Sequence, residues 1–365
     1  MTQRNRSQAM THPGRPPFSL AAVLALTLAA CGGAEATTAG TETTVAAQSR
    51  PAWERTPIAL LPRDAFLVAH LDGTQLRRSP YFSFVETLVR QLADGDAGEQ
   101  QTATALINNI DEAWIGVRDT SSAELVGVVR GANLDPSMRQ FVAQEMSGAT
   151  MQTKGRAQIW QNGSGSSDAV VRLEAKTWVF VIDGGLPELL TRVDGGGEGD
   201  PLSDPRMRAT AERIGFSTRA PVGVVAHLDD RLRGQFAGQG VPLRFLAGAD
   251  YVAGRLDAAN GIAVDVTADM LSADAAAQME DALRGVVSGY ASNPMVALMG
   301  LSDILRRIEV HATGARIDAR ATTTDEETRS LLERYGELLG AAISRRDVDA
   351  ADARLAMLPR GAARR

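Results

Sequence analysis

The feature that most constrains the fold is an internal echo. Leu67-Val68-Ala69-His70-Leu71-Asp72 returns as Val224-Val225-Ala226-His227-Leu228-Asp229, 157 residues later. Leu76-Arg77 and Leu232-Arg233 follow at nearly the same offset. A continuous apolar run closed by a turn-forming aspartate reads as a strand covered on both faces. A repeat at about half the chain predicts two similar halves. At 365 residues and 44% hydrophobic content, each half has the material for a core, which excludes disorder of the whole chain. A single cysteine excludes a disulfide framework or a cysteine-based metal cluster. The formal charge of -6 speaks against a nucleic-acid partner.

The periodicities between the two echoes agree with an α+β fold of antiparallel hairpins and packed helices. In the first half, Phe66 to Leu71 is a strand. Ser79-Pro80 then opens a helix with Tyr81, Phe84, Val85, Leu88, Val89 and Leu92 inward. Strands are expected at Ala113 to Val117 and Leu125 to Val129, with Thr120 to Ser122 as the turn. A helix opens at Asp135-Pro136, and strands follow at Gln158 to Gln161, Val170 to Leu173 and Trp178 to Ile182. A short helix covers Leu186 to Val193. The second half begins with Val222 to Leu228, then Val252 to Leu256 and Ile262 to Val266 joined across Asn260-Gly261. Ser272 starts a helix bearing Met279, Leu283, Val286, Val287 and Tyr290. Ile308 to Ala312 and Ile317 to Ala321 make a half-exposed hairpin. Thr324 to Glu327 is a capping box for a last helix with Leu331, Leu332, Tyr335, Leu338, Leu339 and Ile343 inward. The glycine-rich run Asp194 to Pro201 separates the halves, giving units at 57–200 and 201–344 and a charged tail at 345–365.

The first thirty residues read as a targeting segment, with Arg4, Arg6 and Arg15 ahead of an apolar run from Phe18 to Ala30. That run is too short to span a bilayer as a helix. Met10 is an alternative start. Leu28-Ala29-Ala30-Cys31-Gly32 resembles the lipobox of bacterial lipoproteins. The resemblance implies cleavage before Cys31 and diacylglycerol on its sulfur, with an acyl chain on its amine. The lone cysteine of the chain stands where that family needs it. Attachment through several acyl chains is effectively permanent, and Gly32 after the cysteine implies an outer-membrane address. Residues 31–56, rich in Gly, Ala and Thr, read as a flexible tether. Loss of the three arginines takes the charge from -6 to -9, so anionic headgroups are not expected to add to the anchoring. Leu61-Pro62-Arg63-Asp64 before a buried strand is also similar to uncharacterised bacterial envelope-protein families, with no catalytic residues implied.

Catalytic patterns are sparse. Gly163 to Ser167 lacks the strand-turn-helix setting of a nucleophile elbow. There is no dinucleotide fingerprint and no P-loop, so no cofactor is expected. His311 sits beside Glu309 on a polar strand face and reads as solvated. The one constellation is the doubled His-x-Asp. His70, Asp72, His227 and Asp229 would form a two-histidine, two-carboxylate metal site if the two strand ends met. Otherwise each Asp caps the turn after its strand and each His packs its ring. Met295, Val296, Leu298, Met299, Leu301, Ile304 and Leu305 form an apolar stretch after Asn293-Pro294, expected to be core. Exposed, it would suit a partner or an apolar ligand.

The chain is therefore expected to be a lipid-anchored envelope protein with a non-enzymatic binding or scaffolding role and envelope proteins as partners. Two alternatives stand beside this. One is a metal-dependent hydrolase at the His-x-Asp pairs. The other is a carrier whose halves enclose an apolar ligand near Met295 to Leu305.

Overall fold

A computed structural model describes residues 52–334, apart from 94–96, 119–123, 163–166, 198, 219 and 239–242. Cys31, the signal segment, the turn at Thr120 to Ser122, the tip Gly163 to Ser166 and the tail from Tyr335 onward lie outside the described residues.

The first half opens with α1 (Ala52–Arg55) and a 3-10 turn, Pro57–Leu60, ahead of β1 (Leu67–Asp72). Three helices follow, α2 (Gly73–Arg78), α3 (Phe82–Leu92) and α4 (Ala97–Asn109), before the hairpin β2 (Glu112–Val117) and β3 (Leu125–Arg130). Then come α5 (Leu134–Glu145), β4 (Thr150–Lys154), β5 (Ala157–Gln161), β6 (Ala169–Glu174), β7 (Thr177–Ile182) and α6 (Leu186–Val193). Past the glycine-rich run lie α7 (Pro205–Arg213), β8 (Val222–His227) and α8 (Asp230–Ala237). The hairpin β9 (Ala249–Asp257) and β10 (Ala263–Met270) leads to α9 (Ala273–Ala291), α10 (Pro294–Leu298) and α11 (Ser302–Arg306). The hairpin β11 (Glu309–Thr313) and β12 (Arg316–Thr322) and a helix over residues 325–334, α12, close the described chain.

All twelve strands join one antiparallel sheet in the order β11-β12-β10-β9-β8-β1-β2-β3-β7-β6-β5-β4. The two echoed strands are its centre. β1 pairs β8 with Leu67 opposite Ala226 and Leu71 opposite Val222. This explains the unbroken apolar runs: both strands are paired on both edges and covered on both faces. Outward from this pair the order is β1-β2-β3-β7-β6 on one side and β8-β9-β10-β12-β11 on the other. The first half adds the hairpin β4–β5 at its outer edge.

Alternation along the strands feeds two cores. Val68, Trp114, Val128, Val179 and Val225 meet Trp53, Leu60, Leu61, Leu189 and Met207 from α1, the 3-10 turn, α6 and α7. On the other face Leu71, Ile115 and Trp178 meet Leu76, Val85, Val89, Leu106 and Met138 from α2 to α5. A third cluster lies beneath α8 and α9, around Leu232, Met270, Met279 and Ile317.

Several local expectations change. Ser79 closes α2, and α3 begins only at Phe82. Its hydroxyl accepts from Tyr81 N instead, at 3.2 Å. Helices α2, α4 and α7 and strand β4 carry too little apolar periodicity to be read from sequence. α4 buries only Thr102, Leu106 and Ile107, and every residue of β4 is exposed. Gly261 in the β9–β10 turn has φ 106° and packs against Thr323 O, where a Cβ would stand 2.0 Å away. Its N–H donates to the Tyr81 hydroxyl at 3.0 Å, which itself donates to Asp325 at 2.6 Å. One tyrosine of the first half thus holds a turn and the last helix of the second.

The largest difference concerns Met295 to Leu305. Ser302 and Ile304 are buried, but α10 buries none of its residues. Met295 is 67% exposed, Leu298 79% and Met299 37%. The stretch expected to be core is largely surface from Met295 to Met299, and returns to the core only at Ser302 and Ile304.

Candidate functional site

The four residues of the His-x-Asp pairs sit in similar surroundings but do not meet. β1 and β8 run antiparallel, so their C-terminal ends point to opposite ends of the sheet. His70 stands opposite Gly223, whereas His227 donates its backbone N–H to Phe66 O at 2.7 Å. Four rungs of strand separate the two histidines, roughly 14 Å at about 3.4 Å per residue. Asp72 and Asp229 lie farther apart still. Among the described residues no group of three or more His, Cys, Asp and Glu is placed to hold a metal ion. The two-histidine, two-carboxylate arrangement therefore does not assemble.

Each corner does something simpler. Asp72 Oδ1 accepts from Gln75 N at 2.8 Å and caps α2; Asp229 Oδ1 accepts from Leu232 N at 2.8 Å and caps α8. The His70 ring, 3% exposed, lies 4.4 Å from Trp114 and 6.3 Å from Phe216. Its Nε2 is 3.5 Å from Glu112, which also accepts from Trp114 Nε1 at 2.8 Å. Burial would raise the Glu112 carboxyl, but hydrogen bonds from His70 and Trp114 hold it below its ordinary value. In the second corner His227 stacks on Tyr251 at 4.6 Å and lies 3.6 Å from Asp250. The Tyr251 hydroxyl donates to Asp204 at 2.7 Å. Burial, then that carboxylate, push its pKa up to about 12. Arg206 covers the other side of the ring at 4.6 Å.

A second place in the molecule is built to receive something. Between α5 and the sheet lies a narrow slot with about 70 Å³ of space open to a water-sized sphere. Its walls are Ile115, Leu125, Val170 and Phe180 from the sheet, with Phe141 and Met146 from the α5 side. The space exists because of one missing side chain. At Gly127 in β3, a Cβ would meet nothing closer than Leu125 at 3.7 Å and Phe180 at 3.9 Å. Phe141 and Phe180 meet edge to face at 5.8 Å and close one side. Glu145, Asn162 and Asp168 are the polar groups of the lining. Asp168 accepts from Asp183 N at 3.1 Å. Burial, with Glu99 nearby, raises the Glu145 carboxyl above its ordinary value. An apolar cleft with a few polar groups is the usual form of a small-molecule site.

The slot was not foreseen. The one signal was a glycine inside an apolar strand, Leu125-Val126-Gly127-Val128-Val129, a pattern that marks a close approach or an opening. The expected gap between the halves is absent from this arrangement, since β1 and β8 are hydrogen-bonded neighbours. Met295 and Leu298 do not line the slot, whose lining residues all come from the first half.

No family model and no curated protein matches the chain. Among solved structures it is similar to TP0453. Crystal form IV has a TM-score of 0.47 and 10% identity, covering 80% of this chain and 99% of that one. Crystal form III has a TM-score of 0.46 and 9% identity, covering 75% and 96%.

Proposed function

We propose that the chain is a membrane-tethered, non-enzymatic binding module that takes a slender apolar chain into the slot beneath α5. The observation that carries this reading is the slot itself, mostly apolar in its lining, with Glu145 and Asp168 among its few polar groups. Burial of apolar surface contributes about 25 cal/mol per Å², so an alkyl chain gains affinity without a specific polar partner. Two carboxyl groups in the lining favour a neutral or cationic head over a carboxylate. Capping by Asp72 and Asp229 and ring packing by both histidines support a binding role over a catalytic one.

The test is calorimetric titration of the chain with dodecanol, dodecylamine and dodecanoate. Saturable binding of the first two, weaker for dodecanoate, is the expected result. Gly127→Val fills the slot and is expected to weaken binding at least tenfold with an unchanged urea midpoint. Absence of saturable binding, or binding indifferent to Gly127→Val, defeats the proposal. The tether rests on the lipobox resemblance at Cys31. Its check is palmitate labelling in cells, present in the native chain and absent in Cys31→Ser.

A further inference from the structure

We infer that the projecting tip formed by the end of α9 and by α10 inserts into the border of a lipid bilayer, as a second contact beside the acyl anchor. The inference concerns the second half of the molecule and rests on the tether reading only for the membrane it would meet.

In a chain with 22% charged residues, no Asp, Glu, Lys or Arg occurs from Gly285 to Ser302. This uncharged run is also the least covered part of the second half. Tyr290 is 55% exposed, and with Met295, Leu298 and Met299 it makes a continuous sequence of large apolar groups facing outward. The tip is held in shape despite its exposure. Asn293 Oδ1 caps α10 by accepting from Met295 N at 2.9 Å. Arg334 Nη1 from α12 donates to Met299 O at 2.9 Å and braces its far end. The apolar groups are therefore presented by a defined helical corner.

Three occupants could cover such a surface, and the physical terms separate them. Four side chains at these exposures offer on the order of 400 Å², half of the roughly 800 Å² that each side of a stable protein interface buries. A second copy of this chain is thus poorly served by the tip alone. The rim around the tip is neutralised by ion pairs, with Arg284 on Glu280, Arg306 on Asp303 and Arg307 on Glu327. These six charges are matched in pairs and the run from Gly285 to Ser302 adds none, which gives the tip no charge pattern of its own to select an acidic or basic protein surface. Partition into a bilayer scales with the apolar area buried and needs neither a complementary partner surface nor charge. Met and Leu enter the acyl boundary, and Tyr suits the headgroup level. The acidity of the chain as a whole does not oppose this, because the tip carries no charge. An acyl anchor at Cys31, if present, would hold the domain at high local concentration over the membrane.

The experiment uses the chain from residue 31 onward carrying Cys31→Ser, which removes both the apolar signal segment and the acyl anchor. Cys31 is the only cysteine, so Ala297→Cys in this background takes a single environment-sensitive fluorophore, and Thr153→Cys on the exposed β4 edge serves as control. With phosphatidylcholine vesicles at millimolar lipid, the label at 297 is expected to brighten several-fold and the label at 153 to stay unchanged. Met295→Asp with Leu298→Asp is expected to cut vesicle flotation at least tenfold while the urea midpoint holds. Failure to float, or flotation indifferent to the two aspartates, overturns the inference. So does brightening at 297 that needs no vesicles and rises with protein concentration, which would assign the tip to a second copy. Because this chain has no anchor, vesicle binding survives as a result even where palmitate labelling at Cys31 fails. The reverse outcome removes the tip and leaves the tether.

Discussion

The two halves of the sheet share a strand order and differ in how their helices use it. In each, a central strand leads to a helix-capping aspartate, a hairpin follows, and a later hairpin docks on the first through its last strand. In the first half the helices are sealed against the sheet. Val85, Val89, Leu106 and Met138 are all buried, and the slot at Gly127 lies between α5 and the sheet. In the second half α9 buries Ala276, Met279 and Ala291 along its length, and α10 after it buries none of its residues. The same frame thus carries a slot on one side and an apolar projection on the other. Strand pairing is demanding in register, whereas a helix is free to overhang.

The sharpest way to break this comparison is at its cores. Leu76→Ala and Leu232→Ala remove fully buried side chains from corresponding helices, and each is expected to cost about 2–5 kcal/mol. Urea unfolding followed by circular dichroism and by tryptophan fluorescence should give one coincident transition for both variants. Two separated transitions would show that the halves fold as independent bodies despite their shared sheet.

Next in size is the contrast in helix cover. Met138→Ala, at a fully buried position of α5, should again cost about 2–5 kcal/mol. Met295→Ala, at the tip, should stay within about 0.5 kcal/mol of the native chain. Comparable losses in the two would mean that the tip is packed in solution.

The caps come third. Asp72→Ala and Asp229→Ala should each lower stability by about 1 kcal/mol, with Asn in their place restoring most of it. Asp72 also accepts from the Gln75 side chain at 2.7 Å, so its loss is expected to be the larger.

Smallest is the response to pH, and here the corners part. Glu112 is held below its ordinary value near 4.5. Its stabilisation is complete above that pH and is lost as pH falls through the lower folded value. Asp204 behaves in the same sense from its ordinary value near 3.8. Tyr251 is raised from 10 to about 12, so its contribution is complete below pH 10 and is lost as pH rises toward 12. Urea midpoints against pH should show Glu112→Gln flattening the acid limb and Tyr251→Phe flattening the alkaline one. An alkaline limb that persists in Tyr251→Phe would place the titrating group elsewhere.

Much of the frame was legible in the residues. The strands at Leu67, Trp114, Val128, Val170, Trp178, Val222, Val252, Val310 and Ile317 follow from apolar runs or alternation, and the Thr324 to Glu327 box is made as expected, with both reciprocal bonds. The candidate site was less so. His70 and His227 are similar in sequence, yet one is enclosed by Trp114 and Phe216 and the other stacks on Tyr251 with 40% of its side chain exposed. Helix α4 and strand β4 were missed because neither carries a strong apolar stripe, and each is held by its neighbours.

Composition and local pattern determined by themselves that this chain builds a mixed antiparallel fold with an echoed strand and an aspartate after each copy. Those properties are local: apolar periodicity chooses the element, and a short polar side chain chooses its end. Three matters were decided only by tertiary structure. The echoed strands became neighbours running in opposite directions, which parted the histidines. A glycine in β3 became an opening, because α5 passes over it without filling the space. The apolar run after Asn293 became surface, because no described element covers Met295 and Leu298. Each depends on what lies across the sheet from a residue, and distance through space is not written along the chain.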